Sequence, residues 1–460
     1  MDRRRLAKLA LPVLLLLIVL LLPRPDGLTY EGQAMFAVLA FAASVFILQP
    51  IPLGLAGIIV LVLPLILGVT TVTDTFHSFG NSAVFFLIGA FIIAAVVEKT
   101  PLHRRVALSF LKVAGKSPKL LVLGTMLAGA SLSFIMPEHG VIVLLVPILM
   151  YTVVGMGLVP LRSNLAKSIM IGAAYGATIG SLGTPLGGAR NPLTIGFLKL
   201  EGIKVDFLEW MMLSVPIVIL SILAVWLLLI FIFPSELKDL KLGKKVIEEE
   251  VKDLPSLGSR NKFIIAILIL LILAFIVLPS VFDVELSLIA LMGGVVMFFV
   301  GKMKWEDVET KIPWGIILLY GGAISMGIHL ADTGAANWLA DNILDITSGN
   351  VFLSIVLVLV LTKVMTEFMS NTAAVSILLP IGFAVFTESG LPPEMGAMLV
   401  GLSGGLAFMF LISTPGNLIS FSSGYFTQKD LLKAGFLANI LTLGILLLVV
   451  YTYWKWIGVW

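Results

Sequence analysis

The polar stretch Thr366-Glu367-Phe368-Met369-Ser370-Asn371-Thr372-Ala373-Ala374 lies between two apolar arms, 351–364 and 375–386. Neither arm reaches the roughly 20 residues that a membrane-spanning helix needs. A polar turn between two half-length arms reads as a re-entrant helical hairpin with its tip at membrane depth. Irregular backbone survives there only where protein or a water-filled cavity surrounds it, so the tip is a candidate ligand site.

The same pattern occurs earlier, at Phe134-Ile135-Met136-Pro137-Glu138-His139-Gly140, between arms 120–133 and 141–156. Aligning Pro147-Ile148 with Pro380-Ile381 sets Met136 on Met369. Pro137, Glu138 and His139 then fall on Ser370, Asn371 and Thr372. A Thr-Pro pair follows each tip at a similar distance, Thr184-Pro185 and Thr414-Pro415. Two tips and two breaks in matching order predict an inverted repeat with a midplane site.

A reading as a membrane protein holds for the whole chain. Of its 460 residues, 59% are apolar and 12% are charged, which no soluble domain of that size could bury. The absence of cysteine excludes disulfides and thiolate metal sites. The four histidines, at 77, 103, 139 and 329, have no zinc-site spacing. The basic residues behind the net charge of +3 are scattered, which argues against a nucleic-acid surface.

The expected fold class is an all-α polytopic membrane protein with about 11 transmembrane helices and two opposed re-entrant hairpins. Arg3-Arg4-Arg5 before an apolar run at 6–22 reads as an uncleaved first helix with a cytoplasmic N-terminus. Residues 99–119 read as a basic amphipathic helix on the membrane face, and 331–347 as a helix polar on one side. Residues 82–234 form the first repeat, with hairpin 120–156 and a broken helix at 168–198. Residues 235–262 form a charged, solvated cytoplasmic linker. Residues 314–460 form the second repeat, with hairpin 351–386 and a helix over 394–413 that breaks at Thr414-Pro415-Gly416-Asn417 and resumes to 425. With this order, 24 of the 30 Lys and Arg fall on the inner side, which places the C-terminus outside and the protein in the plasma (inner) membrane. Tyr451, Tyr453, Trp454, Trp456 and Trp460 form an aromatic belt.

Each polar residue at depth has a functional and a structural reading. Ser370, Asn371 and Thr372 offer oxygen dipoles and free helix ends that suit sodium or a carboxylate, or else ordinary hydrogen bonds between helices. Thr184 to Asn191 is the partner break, where Gly and Pro exclude regular helix up to Pro192. Within it Arg190 either holds an anion by a bidentate contact or pairs with Glu138 or a loop carbonyl. Glu138 is a proton-carrying candidate, and His139 can donate to an anion or titrate. Lys363 and Glu367 are spaced to pair along one arm. His329, Asp332, Asp341 and Asp345 are expected on the outer rim, and Asp74 and His77 in a solvated loop.

Three of these segments also resemble a known family. Thr-Glu-Phe-Met-Ser-Asn-Thr-Ala-Ala at 366–374, Ser-Thr-Pro-Gly-Asn at 413–417 and Ser-Gly-Tyr-Phe at 423–426 resemble the signatures of the divalent anion/sodium symporters, or INDY-like sodium:dicarboxylate transporters. The resemblance implies a homodimer working as an elevator, in which residues 1–81 and 263–313 belong to a fixed scaffold. It implies a small anionic substrate, a di- or tricarboxylate, with sodium as coupling ion and lipid as surroundings. Asn371, Thr372, Thr414 and Pro415 would touch substrate, with Thr184, Pro185, His139 and Arg190 serving the other half. Ser370, Asn371, Ser413 and Thr414 would hold sodium. The first half departs from the family pattern: Pro137-Glu138-His139 stands where the family has Ser-Asn-Thr. A proton-coupled carrier or exchanger using Glu138 and His139 is therefore the nearest rival. An intramembrane enzyme would lack a nucleophile elbow or an H-E-x-x-H pair. A channel would need a symmetric filter that the unlike tips do not give.

Overall fold

The computed structural model describes residues 3–254 and 256–459. Trp460, which the sequence assigns to the aromatic belt, lies outside them, as do Met1, Asp2 and Pro255. No strand occurs among the described residues. Leading to the first tip are α1 (Arg3–Leu21), α2 (Tyr30–Leu48), α3 (Leu53–Ile66), α4 (Val72–Phe79), α5 (Ser82–Glu98) and α6 (Leu102–Ala114). The first hairpin is α7 (Pro118–Ser133) with α8 (Glu138–Gly155), and the first broken helix is α9 (Asn164–Gly180) with α10 (Arg190–Leu200). Next come α11 (Phe207–Ile232), α12 (Lys241–Lys252), α13 (Ser259–Phe282), α14 (Leu286–Gly301), α15 (Trp305–Glu309), α16 (Trp314–Asp332) and α17 (Ala335–Ile346). The second hairpin is α18 (Val351–Phe368) with α19 (Asn371–Glu388). The second broken helix is α20 (Pro393–Ser403) with α21 (Pro415–Phe421), and α22 (Gln428–Val449) follows.

Nine helices among the described residues are long and apolar enough to cross a membrane. α13 leaves most of its circumference exposed, including Phe263, Ile269, Leu270 and Leu273, as a lipid-facing helix does. α9 is the opposite case, buried at every position from Ser168 to Gly180. Its glycines explain how it fits. A Cβ on Gly176 would lie 2.4 Å from Met126 O, and one on Gly180 2.2 Å from the Ala130 Cα, so α7 and α9 touch backbone to backbone. Local signals set the helix starts. Ser117, Ser163, Asn350, Ser370, Thr414 and Thr427 each accept a backbone N–H from the first turn that follows.

The structure corrects several expectations. The hairpin arms are longer than the apolar runs: α18 and α19 have 18 residues each. Thr366 and Glu367 continue α18, and Asn371 to Ala374 begin α19, because their polar atoms are satisfied inside the protein. The tip shrinks to Met369-Ser370. In the first break, helix resumes at Arg190, so Arg190, Asn191 and Pro192 form the first turn of α10, where proline is tolerated. In the second, helix stops at Ser403 and not at Ser413, leaving a strap of turns and irregular backbone from Gly404 to Thr414. The linker is not merely solvated. α12 buries Val246, Ile247 and Glu250, and Glu250 takes an ion pair from Arg104 of α6 at 3.2 Å. Asp74 and His77 lie on α4, a short helix and not a loop, though both are exposed. His329 is buried rather than on the rim, with Nδ1 3.9 Å from Asp332.

Candidate functional site

Each tip packs against the break of its own half. At the first, Thr184 Oγ1 donates to Phe134 O at 2.6 Å, and the Phe134 ring covers Gly183. A Cβ on Gly187 would lie 2.5 Å from Ser133 O, so only glycine lets the break reach the end of α7. Asn191 Nδ2 donates across the break to Ser181 O and Thr184 O, both at 2.7 Å, and its Oδ1 is buried with no partner. At the second, Thr366 Oγ1 lies 2.6 Å from Gly404 O and 2.8 Å from Asn371 Oδ1. Asn417 Nδ2 donates to Phe410 O and Ser413 Oγ, and here too the Oδ1 is buried and unpartnered. The two breaks therefore share one device: an asparagine ties each break by its amide nitrogen and leaves an oxygen free.

Arg190 joins the halves. It is 2% exposed, and its Nη2 donates to Ser181 Oγ at 2.6 Å. Ser181 Oγ in turn lies 3.1 Å from Glu138 Oε2, so arginine and glutamate communicate through a hydroxyl, with no direct ion pair between them. The guanidinium is wedged between glycines of opposite breaks. A Cβ on Gly188 would lie 2.6 Å from Nη1, and one on Gly405 2.1 Å from Nε. That Nε is buried and has no partner. A buried guanidinium with a donor left over is costly. It is chemically suited to a carboxylate or another oxyanion.

The other residues singled out by sequence fall as follows. Ser370 and Thr414 are N-caps of α19 and α21. Ser413 Oγ donates to Phe410 O, and Thr372 is buried beside Asn371 in the first turn of α19. Pro185 is buried, whereas Pro415 opens α21 with its side chain exposed. His139 is half-buried, in the first turn of α8 next to Glu138. Lys363 and Glu367 do not pair directly: Asn439 of α22 sits between them, accepting from Lys363 Nζ at 3.1 Å and donating to Glu367 at 2.7 Å. Sequence reasoning missed Ser181, Thr366 and Gly405. The Gly404-Gly405 pair was the one available signal.

Two broken helices meeting at buried polar groups inside an apolar bundle are the architecture of a membrane transporter. Residues 3–460 match the family model described as the sodium:sulfate symporter transmembrane region, and the chain belongs to that family, one of transporters and not of enzymes. The sodium-dependent dicarboxylate transporter SdcS of Staphylococcus saprophyticus is 27% identical, over 97% of this chain and 91% of its own length. SdcS of Staphylococcus aureus (strain bovine RF122 / ET3-1) is 28% identical over the same shares. The solved YdaH transporter of Alcanivorax borkumensis has a similar fold, with a TM-score of 0.58 at 17% identity over 83% of this chain and 87% of that one.

Proposed function

We propose that this protein is a sodium-coupled carrier of a small dianion, a dicarboxylate before sulfate, working by an elevator movement of its two repeats as a homodimer. The observation that carries the anion reading is the unpartnered, buried Nε of Arg190 between the two breaks. Substrate would lie against Arg190 and the first turn of α19, where Asn371, Thr372 and the helix N-terminus favour negative charge. Thr414, Pro415, Thr184 and Pro185 would border the substrate from the two breaks. Sodium is cargo in this scheme. Oxygens of Ser370, Asn371, Ser413 and Thr414 would ligate it, and the free Asn417 Oδ1 beside Ser413 supplies the donor type that sodium takes. Glu138, held through Ser181, balances the charge of Arg190 and would modify coupling in the first half. The relatives named as sodium-dependent dicarboxylate transporters support the choice of substrate and ion.

The test is uptake of labelled succinate, citrate and sulfate into proteoliposomes, with and without an inward sodium gradient. Sodium-driven uptake of succinate above the other two is expected. Uptake driven by a proton gradient alone, and lost in Glu138→Gln, would move coupling to the first hairpin and contradict the proposal. Gly405→Ala tests the wedge. Its Cβ would collide with Arg190 Nε, and overpacking of that kind costs about 1–3 kcal/mol. The half-saturating anion concentration at saturating sodium should rise by about 10-fold.

A further inference from the structure

Lys363 is 5% exposed and sits two turns below the second tip on α18. An ammonium has three donors, and all three are taken by oxygens: Leu406 O at 3.1 Å, Asn439 Oδ1 at 3.1 Å and Thr442 Oγ1 at 3.0 Å. One turn further, Glu367 takes a row of backbone N–H groups: Phe408 at 2.7 Å, Met409 at 3.0 Å from both oxygens, and Phe410 at 3.2 Å. Asn439 closes the circuit between the two charges.

Along the strap the holds are nearly continuous. Gly404 O is held by Thr366, Gly405 packs on Arg190, Leu406 O is held by Lys363, and residues 408–410 are held by Glu367. From Ala407 to Phe410 the strap belongs to no helix; its near end is tied back to α20 by Gly405 and Leu406, whose N–H groups donate to Leu402 O and Ser403 O. Its course is therefore set by side chains from outside it, Thr366, Lys363 and Glu367 of α18 and Tyr175 of α9, whose hydroxyl donates to Phe408 O at 2.8 Å; two of the three α18 residues are ionisable groups buried in the bundle. A hydrophobic pair would have held α18 against α22 at lower cost, but it could not have fixed backbone polar groups.

We propose that Lys363 is a tethered cation that positions the strap of residues 404–410, and that by doing so it sets the sodium affinity of the second tip. This rests on the sodium-coupled reading. Lys363 touches neither anion nor sodium; it acts through Leu406 and, by way of Asn439, through Glu367. The carbonyl of Gly404 and the asparagine of the tip meet at Thr366, so a strap that shifts moves the oxygens offered around Asn371. Arg190 approaches the same strap from the other half through Gly405 and makes its hydrogen bond to Ser181, not to the strap.

The experiment compares wild type, Lys363→Met and Asn439→Ala in detergent. Asn439→Ala keeps both charges and is the variant to read if Lys363→Met does not fold. Hydrogen exchange of peptides covering 404–410 reports the strap, and the sodium dependence of thermal stability reports sodium affinity without requiring transport. Expected for Lys363→Met are exchange at 404–410 faster by about 10-fold or more and half-saturating sodium raised by about 10-fold, each the equivalent of losing one charged hydrogen bond. Asn439→Ala should move both in the same direction by a smaller factor. Half-saturating anion, measured by uptake at saturating sodium, should rise by a smaller factor than half-saturating sodium does. Unchanged exchange at 404–410 would overturn the proposal. So would faster exchange with an unaltered sodium curve, which would make the cluster merely structural. A wild type that shows no sodium-driven uptake overturns the parent reading instead, and the exchange and stability curves still judge Lys363.

Discussion

Replacing Arg190 by Lys should leave a folded protein that has lost anion affinity by roughly 10- to 100-fold, the worth of one or two charge-assisted hydrogen bonds. The positive charge is retained, so Glu138 keeps its counter-charge through Ser181 and the buried region stays neutral. Geometry is what is lost. The guanidinium fills a slot between Gly188 and Gly405, donates Nη2 to Ser181 and leaves Nε buried without a protein acceptor. A lysine can reproduce one of those donors but not the planar fork. Arg190→Ala is a poorer test, because an unpaired buried Glu138 would destabilise the fold by about 3–5 kcal/mol and confuse loss of function with loss of structure. The measurement is the half-saturating anion concentration at saturating sodium, with elution volume and melting temperature as controls. An Arg190→Lys variant with wild-type affinity would show that the arginine is only a structural counter-charge to Glu138.

Asn371→Ala should abolish uptake, by about 100-fold or more, while the melting temperature moves by only a few degrees. The asparagine contributes little to the fold. Its one side-chain hydrogen bond is shared with Thr366, whose hydroxyl keeps Gly404 O as an acceptor when the amide is removed. At the first helical position alanine is at least as good a helix former, and Ser370 continues to cap α19. The expected cost to stability is about 1 kcal/mol. The cost to transport is larger, because the amide can face an anion through nitrogen and sodium through oxygen at the same time. The measurement is initial uptake rate in proteoliposomes normalised to inserted protein. Near-normal flux in Asn371→Ala would remove the second tip from the site.

Much of the architecture was readable from residues, and the unread parts share a cause. The tips were found because a polar sequence between apolar arms is a local signal, and Pro137-Glu138-His139 and Ser370-Asn371-Thr372 stand out against everything near them. The exact reach of the helices was not, because polarity and helix are different properties: Thr366 and Glu367 look like a turn but are helix, their polar atoms satisfied by Gly404 and by the strap at 408–410. The strap itself was misread for the converse reason. Residues 406–412 are apolar enough to pass for helix, and the end of α20 is announced only by Gly404-Gly405. Partners far away in sequence were out of reach altogether. Nothing near Lys363 signals Asn439, 76 residues on, and nothing near Arg190 signals Gly405. α12 was legible but overlooked: Lys244–Glu248 and Lys245–Glu249 at helical spacing, with Val246-Ile247 between them, describe an amphipathic helix.

The central claim is that Arg190 from one half and Asn371 from the other serve one sodium-dependent anion site. Equilibrium binding of labelled succinate to the detergent-purified protein, in sodium and with sodium replaced by choline, tests it without the complications of flux. The account predicts saturable binding in sodium, little or none in choline, and loss of the sodium-dependent component in both Arg190→Lys and Asn371→Ala. Binding that is equal in choline, or that survives the Asn371 substitution undiminished, would contradict it.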